Sequence, residues 1–304
     1  NPALTGQING SLRLNLLYRN QWASVGRQYD NYGFSADVKH NEWGFGITAV
    51  NQVAGSEGLN TQFVTTNVLL SAAYDLSVAS GNAASNHHFV FGIQAGVINK
   101  YVKLKDATYT GDWDNVFGFQ RNSSGEGTGN LNSLAPDLNF GFLYFDGSPY
   151  KKLAPFAGLT VNHLISPSDD FDGEGSTGTE TARLPLRYSL HGGVRIKTTA
   201  DIDLTPHALV MIQNNNYNII AGVTGSYALI DTYTKVEAGV WYRVNDAIVP
   251  YVGLRHKDIQ AGVSYDVVLS DLNDVGRVKN ALEISLTYIL NKRNLKEEYI
   301  CPRL

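Results

Sequence analysis

The chain has 304 residues, of which 43% are hydrophobic and 17% are charged, and its net charge is -4. A net negative charge gives no electrostatic support to a nucleic-acid partner, and the sequence lacks the run of about 18 apolar residues that a candidate transmembrane helix needs. Cys301 is the only cysteine, so no disulfide can form within the chain. The 17 Tyr, 12 Phe and 30 Gly beside a single Met are typical of strands, tight turns and aromatic belts.

Apolar and polar side chains alternate with a period of two along most of the chain, which is the pattern of β-strands. Near the start, Leu14 and Leu16 share one face and Arg13 and Asn15 share the other. The clearest case is 183–197, where apolar residues from Leu184 to Ile196 make one face and polar residues from Arg183 to Lys197 make the other. We predict strands near 10–19, 31–39, 43–52, 63–76, 87–100, 136–146, 153–163, 183–197, 201–213, 216–229, 233–243, 246–256, 258–267 and 280–290.

The predicted fold is all-β: a transmembrane antiparallel up-and-down β-barrel of about 14 strands. An even number of strands of roughly ten residues is what outer-membrane barrels have. The barrel is predicted to form a single domain over 1–304, with 291–304 as a periplasmic C-terminal tail. A soluble β-sandwich also alternates, but it leaves the charged residues on the concave face of nearly every strand unexplained.

The connections between the predicted strands alternate in length. With both chain ends in the periplasm, the inner connections are mostly short, such as 40–42 and 257, while outer connections such as 101–135 and 164–182 are long. Two outer connections, 214–215 and 244–245, are short exceptions. Short periplasmic turns and long external loops are the expected asymmetry of an outer-membrane barrel. The sequence therefore predicts a protein embedded in outer-membrane lipid of a Gram-negative bacterium.

The polar faces of the strands are predicted to surround a lumen that side chains alone cannot fill, because a barrel of about eight strands is already near that limit. The lumen must then hold water, a plug or a partner. No separate plug domain is visible in the sequence, and the connection 101–135 is long enough to fold inward. The polar residues predicted to face the lumen are Arg187, His191, Arg195, Glu237, Trp241, Arg243 and Arg255.

Residues that could support catalysis or metal binding are few and lack distinctive spacing. His163 and Ser166 are residue types of a serine hydrolase, but their spacing matches no known arrangement. The acidic run 169–175 lacks the ligand register of a calcium loop, and Cys301 has no Cys or His partner at metal-ligand spacing. We predict no enzymatic activity, no cofactor and no metal site.

Several short motifs follow one another along the chain in a definite order and spacing. They are Asn1-Pro2-Ala3-Leu4-Thr5-Gly6, Tyr18-Arg19-Asn20-Gln21-Trp22, Asn162-His163-Leu164, His191-Gly192-Gly193, Pro206, Gly239-Val240-Trp241-Tyr242-Arg243, Ser264-Tyr265-Asp266, Leu269-Ser270-Asp271-Leu272 and Cys301-Pro302-Arg303. Together they resemble the PorP/SprF family of the Bacteroidetes type IX secretion system, over nearly the whole chain. The chain departs from the family in lacking the stretch that usually precedes Asn-Pro-Ala and in ending on Leu304, where an aromatic is commoner.

The resemblance implies a non-catalytic outer-membrane barrel that works with type IX secretion and gliding. Some members of the family attach to the periplasmic ring and peptidoglycan-binding components of the machine. Others capture the C-terminal domain of a secreted adhesin at the cell surface. The resemblance does not separate these two roles.

Two functions from different classes remain open, a binding and anchoring module or a diffusion channel for small solutes. An anchor would be closed or filled and would copurify with protein, whereas a channel would conduct in a planar bilayer. For an anchor, the external loops offer aromatic partner-binding candidates: Tyr109, Trp113, Phe117, Phe119 and Phe171. In the periplasmic tail, Cys301 and Arg303 are the candidate contacts to the machine.

Overall fold

Fourteen strands close into one antiparallel barrel in a computed structural model of the chain. The structure describes residues 1–21, 29–55, 62–79, 86–103, 110–120, 130–148, 151–168, 182–229, 233–269 and 281–290. The strands are β1 (Leu12–Gln21), β2 (Tyr29–His40), β3 (Trp43–Ala54), β4 (Gln62–Ala79), β5 (Asn86–Lys103), β6 (Trp113–Asp114), β7 (Gly118–Phe119), β8 (Leu131–Asp146), β9 (Leu153–Asn162), β10 (Arg187–Lys197), β11 (Ile202–Gln213), β12 (Asn216–Ala228), β13 (Thr234–Arg243), β14 (Ala247–His256), β15 (Ile259–Val268) and β16 (Ala281–Leu290). All of these except β6 and β7, which form a small separate hairpin, belong to the barrel.

Each barrel strand pairs with its neighbours along the chain, and β1 closes the ring by pairing with β16 from Leu12↔Leu290 to Gln21↔Ala281. Strand β5 pairs with β8, because β6 and β7 lie in the connection between them. The predicted up-and-down barrel of fourteen strands is therefore confirmed.

Two strand boundaries differ from the prediction by four residues or more, and a proline lies near each of the two predicted ends. Strand β10 begins at Arg187 and not at 183, because Pro185 has no amide hydrogen to donate to a ladder. Strand β8 begins at Leu131 and not at 136, so it runs through Pro136. At Pro136, β8 pairs with β5 but not with β9, whose pairing starts at Phe140, and a strand with one free edge tolerates a proline.

The two rims of the barrel differ in the length of their connections. We call proximal the rim at which β1 begins and β16 ends, and distal the opposite rim. The proximal turns after β2 and β14 are only 41–42 and 257–258, and Asn41 and Lys257 have positive φ angles of 54° and 53°. Such angles are expected of two-residue hairpin turns. The longest connections, between β5 and β8 and between β9 and β10, lie at the distal rim.

The outer surface of the barrel carries an apolar band between two rings of exposed aromatic side chains. The band includes Leu16, Phe34, Leu70, Ile93, Leu190, Val240, Val252 and Ile284. The proximal ring includes Trp43, Phe45, Tyr74, Tyr227, Tyr233 and Tyr288, and the distal ring includes Tyr32, Tyr188, Tyr217, Tyr242 and Tyr265. Aromatic belts at both edges of an apolar band match the two interfaces of a bilayer.

Within the ranges that the structure describes, no helix combines the length and the apolar character needed to cross a membrane.

Candidate binding site in the barrel lumen

The residues before β1 run through the inside of the barrel. We call Asn1–Gly10 the lumen segment; it contains a short 3-10 turn at Pro2–Leu4, capped by the Asn1 side chain. Ala3 is fully buried, and Gln7 and Ile8 are each 2% exposed. Ala3 and Leu4 pack against inward-facing apolar residues of the proximal half, among them Val90, Leu143 and Phe156. The lumen segment therefore behaves as part of the core and not as a loose end.

The wall strands make room for the lumen segment at inward-facing glycines. A Cβ added to Gly92 of β5 would collide with the backbone of Pro2 and Ala3, and one added to Gly44 of β3 would collide with the carbonyl of Thr5. Only a residue without a side chain allows the backbone of the segment to approach the wall this closely. The glycines of the strands therefore leave the space that the lumen segment occupies.

Hydrogen bonds tie the lumen segment to both sides of the barrel. On the β1–β2 side, Arg13 donates to the carbonyl oxygen of Leu4 at 3.0 Å, and the amide of Gly6 donates to Asp37 Oδ2 at 2.7 Å. On the far side, Asn1 Nδ2 donates to the carbonyl oxygen of Phe142 in β8 at 3.1 Å. The segment consequently crosses the lumen from β1 and β2 to β8.

A cavity of about 660 Å³ lies on the distal side of the lumen segment. Asn1, Leu4 and Thr5 contribute to its floor, and its wall reaches Gln52 and Gln213 near the distal ends of β3 and β11. Uncharged polar side chains are the largest group in the wall and include Ser35, Thr48, Asn67, Ser71, Gln94 and Asn139. The volume falls within the range of about 300–1,000 Å³ that is usual for ligand pockets.

The charged residues of the cavity are Arg13, Lys100 and Arg187 against Asp37 and Asp137, with His163 beside them. Arg13 and Asp37 form an ion pair, with 2.9 Å between Nε and Oδ1. Asp137 accepts a hydrogen bond from His163 Nδ1 at 3.0 Å. Basic side chains therefore outnumber carboxylates by three to two in the cavity wall.

His163 and Ser166, the two residues with the side chains of a serine hydrolase, lie in one turn. The amide of Ser166 donates to the carbonyl oxygen of His163 at 2.8 Å, and both residues have positive φ angles. The imidazole of His163 bonds to Asp137, and in the described part of the chain no hydrogen bond joins it to the hydroxyl of Ser166. The pair lacks the nucleophile–base contact that a hydrolase needs.

The predicted lumen residues do not form one cluster. Arg187 lines the cavity at the distal end of β10, His191 is 4% exposed in the middle of that strand, and Arg195 lies near its proximal end. Arg195 donates to the carbonyl oxygen of Ser148 at 3.2 Å.

Glu237 is the centre of a second polar group on the lumen face of β13–β15. Its carboxylate accepts hydrogen bonds from Arg255 at 3.0 Å, Gln260 at 2.7 Å and Tyr251 at 3.2 Å. The Trp241 ring lies 5.3 Å from that of Tyr251, and its Nε1 donates to His207 Nε2 at 2.6 Å. These residues bond mainly to one another, so we assign them to the wall.

Arg243 belongs to a third group at the distal rim. It pairs with Asp246 at 2.7 Å and with Asp266 at 3.2 Å. Asp266 of β15 also pairs with Arg19 of β1 at 2.7 Å. The group thus links β15 and β1, the two strands that flank β16 in the barrel.

The hairpin formed by β6 and β7 presents exposed apolar side chains in the distal connection between β5 and β8. Trp113 is 64% exposed, Phe117 75% and Phe119 44%, and Val116 stands beside them at 81%. Asp114 Oδ1 accepts the amides of Val116 and Phe117 at 2.7 Å and 2.9 Å, which fixes the turn. Those two hydrogen bonds lower the pKa of Asp114 below its ordinary value.

Other predictions for the loops and the tail lie outside the described residues. They concern Tyr109, Phe171, Cys301, Arg303 and the tail 291–304. The connection 101–135 was predicted to be able to fold inward. None of its described residues (101–103, 110–120 and 130–135) lines the cavity, which has residues of the lumen segment at its floor. The sequence analysis missed this segment, and its one signal was an uncharged stretch with Pro and Gly ahead of a strand.

Comparisons with known proteins identify a family and a fold. The profile of the family described as "Type IX secretion system membrane protein PorP/SprF" matches residues 1–288. No curated relative matches the chain significantly. Among solved structures, the toluene transporter TbuX of Ralstonia pickettii is 10% identical, with a TM-score of 0.53 over 96% of this chain and 92% of that one. The Pseudomonas putida toluene transporter TodX is 10% identical, with a TM-score of 0.48 over 96% and 93%. At such identities the likeness to TbuX shows the fold alone.

Proposed function

This chain belongs to the PorP/SprF family of type IX secretion system membrane proteins, and we propose that it is a non-catalytic anchor within that system. It holds the C-terminal domain of a secreted adhesin at its distal side, and its C-terminal tail contacts periplasmic components, including those that bind peptidoglycan. The family and the barrel fold point to the outer membrane, and we propose a Bacteroidetes-like bacterium as the source.

The main support for an anchoring function is the position of the lumen segment. It crosses the barrel below a polar cavity, with hydrogen bonds to β2 on one side and β8 on the other. A pore for free diffusion needs an open path, whereas a docking barrel needs a floor. A cavity that is bounded below and extends toward the long distal connections suits a partner that arrives from the distal side.

The hairpin offers a second contact for the same partner. Trp113 and Phe117 are exposed on a turn that Asp114 makes rigid. Aromatic anchors dominate the binding energy of protein interfaces, and a fixed turn loses little conformational freedom on binding. Tyr109 and Phe171 are proposed to extend this surface, and Cys301 and Arg303 to serve the periplasmic contact.

The alternative is a diffusion channel for small solutes, which the polar lining of the lumen favours. In a channel, the lumen segment would have to leave a path beside it or move. Copurification in mild detergent separates the two functions, because an anchor brings a secreted protein with it.

Surface retention of secreted proteins in a strain that lacks this barrel is the test. Loss of one adhesin to the medium supports a dedicated anchor, and loss of all cargo supports a core component. Unchanged retention of every cargo, together with lost uptake of a small solute, contradicts the proposal and favours the channel.

Point variants of the barrel sharpen this test. Trp113→Ser with Phe117→Ser should release the partner while the barrel stays in the membrane. Tyr233→Ser is the matched control, because it removes an aromatic of similar exposure, 65%, from the proximal rim. Deletion of 294–304 should spare retention but weaken attachment to the periplasmic machine.

A further inference from the structure

Arg187 differs from most arginines of the lumen in lacking an acidic partner. Arg13, Arg19, Arg243 and Arg255 each form an ion pair with Asp or Glu. Within the described ranges, no carboxylate oxygen lies within 4.0 Å of the Arg187 guanidinium. Its one hydrogen bond is a long one, 3.4 Å from Nε to Asn162 Oδ1. A guanidinium has five N–H donors, so Arg187 keeps most of its donor capacity unused.

The carboxylate of Asp137, whose charge acts on Arg187, is already engaged. Asp137 Oδ1 accepts from His163 Nδ1 at 3.0 Å and from the amide of Leu138 at 3.0 Å, and Oδ2 accepts from Asn139 at 3.2 Å. These bonds hold Asp137 beyond ion-pair distance from Arg187. The positive charge of Arg187 therefore has no ion-pair partner among the described residues of the cavity wall.

We propose that Arg187 is the anion-binding centre of the cavity and that its ligand is the carboxylate of an extended polypeptide segment entering from the distal side. The planar guanidinium fork matches a carboxylate, with which it makes paired, charge-assisted hydrogen bonds. The uncharged amide and hydroxyl side chains around it, such as Asn67, Gln94 and Gln213, supply donors and acceptors for a peptide backbone.

The floor of the same cavity shows that this wall can hold a peptide. Arg13 Nη2 donates to the carbonyl of Leu4, Asp37 accepts the amide of Gly6, and the side chain of Thr5 bonds to Ser71. The wall thus recognises the backbone of the lumen segment through side chains, and Ser71 and Gln94 continue it upward into the cavity. The inference rests on the proposed function in one respect, namely that the peptide belongs to the secreted partner.

The direct test uses the purified full-length barrel and two synthetic peptides of one Ser/Asn-rich sequence. One ends in a free carboxylate and the other in an amide, and each carries a fluorophore on an N-terminal linker. By fluorescence anisotropy, the carboxylate peptide should bind about tenfold or more tightly, as expected for a charge-assisted pair. Equal binding of the two peptides, or binding of neither, overturns the proposal.

Two arginines of one strand and one lumen face give a matched pair of variants. Arg187→Gln should abolish the preference for the carboxylate, and Arg187→Lys should restore part of it. Arg195→Gln removes the same charge outside the cavity and should leave the preference intact. An equal loss in Arg195→Gln, or displacement of both peptides by millimolar inorganic phosphate with no carboxylate preference, contradicts a peptide site. The shift of unheated protein on a denaturing gel verifies that each variant is folded.

Retention in cells separates a failure here from a failure of the proposed function. If loss of the barrel releases the secreted partner but Arg187→Gln retains it and the peptides show no preference, this inference is wrong and the anchor stands. If loss of the barrel releases nothing while the peptide preference holds, the anchor is wrong and the carboxylate site stands.

Discussion

Arg13 and Asp37 form an ion pair across β1 and β2, with 2.9 Å between Nε and Oδ1, and both also bind the backbone of the lumen segment. The Asp37 side chain is only 7% exposed and that of Arg13 is 21% exposed. Each side chain thus orients the other while it holds the segment. Removing one member of such a pair leaves a desolvated charge, which costs more than loss of an exposed pair.

A double-mutant cycle on this pair should show strong coupling. We expect Asp37→Asn and Arg13→Gln each to lower the free energy of unfolding by about 1–3 kcal/mol, with the double variant falling well short of their sum. Urea unfolding in lipid vesicles gives the three values. Asp246→Asn is the control, because Asp246 is 42% exposed and its loss should cost under about 1 kcal/mol. Additive effects of Asp37→Asn and Arg13→Gln would show that the two side chains act independently.

The barrel could be predicted from the sequence because lipid and lumen demand opposite side chains at successive positions of every strand. Leu190 faces out at 55% exposure, and His191 faces in at 4%. That contrast repeats with a period of two and depends on the strand alone. The ends of strands follow a weaker local rule. Strand β10 starts only after Pro185, whereas β8 continues through Pro136, at which the prediction had placed its start.

The site could not be predicted to the same extent, because it depends on contacts between distant parts of the chain. The hydrogen bond from Asn1 to Phe142 joins residues 141 positions apart. Likewise, Arg187 and Arg255 each follow a leucine in the sequence and were both predicted to face the lumen. Only the pairing of β13 with β14 gives Arg255 its Glu237, whereas no strand beside β10 offers Arg187 a free carboxylate.

An arginine on the outer face should be costly, and one on the lumen face should not. Val240→Arg places a charge in the apolar band and should lower the free energy of unfolding by about 2–4 kcal/mol if that position lies near the bilayer midplane. Thr48→Arg adds the same side chain to the cavity, where water and space are present. Unfolding in vesicles measures both. Equal costs for the two variants would contradict the assignment of faces.

The hairpin of Trp113 and Phe117 should keep its turn to unusually low pH. The amides of Phe117 and Val116 bond to the Asp114 carboxylate and lower its pKa, so the ionised form stabilises the turn. For a lowered pKa, this stabilisation is present above the unfolded value and is lost as the pH falls through the folded one. Trp113 emission, in a variant with Phe at the other three tryptophans, should therefore change only below the ordinary range of an aspartate. Asp114→Asn keeps an acceptor without a charge and should remove this transition; a transition that persists in Asp114→Asn would assign it to another group.

Removal of the lumen segment should turn a closed barrel into a conducting one. The segment crosses from β2 to β8, and a ring of fourteen strands encloses more space than its side chains fill. Deleting residues 1–8 should produce long-lived conductance steps in planar bilayers, whereas the intact protein should show none.

A matched pair of glycine variants tests without a deletion whether the lumen segment closes the barrel. Gly92→Ala places a Cβ against the backbone of Pro2 and Ala3, whereas the Cβ of Gly33→Ala meets Leu17 of the wall, whose nearest atom is its Cβ at 3.2 Å. Brief openings are therefore expected in Gly92→Ala and none in Gly33→Ala. Large, steady conductance in the intact protein would mean that the segment leaves an open path beside it, and the channel would then be the better account of this barrel. A closed intact barrel that opens only when the segment is lost or unseated is the behaviour that an anchor requires, because it must hold a partner without making the membrane leak.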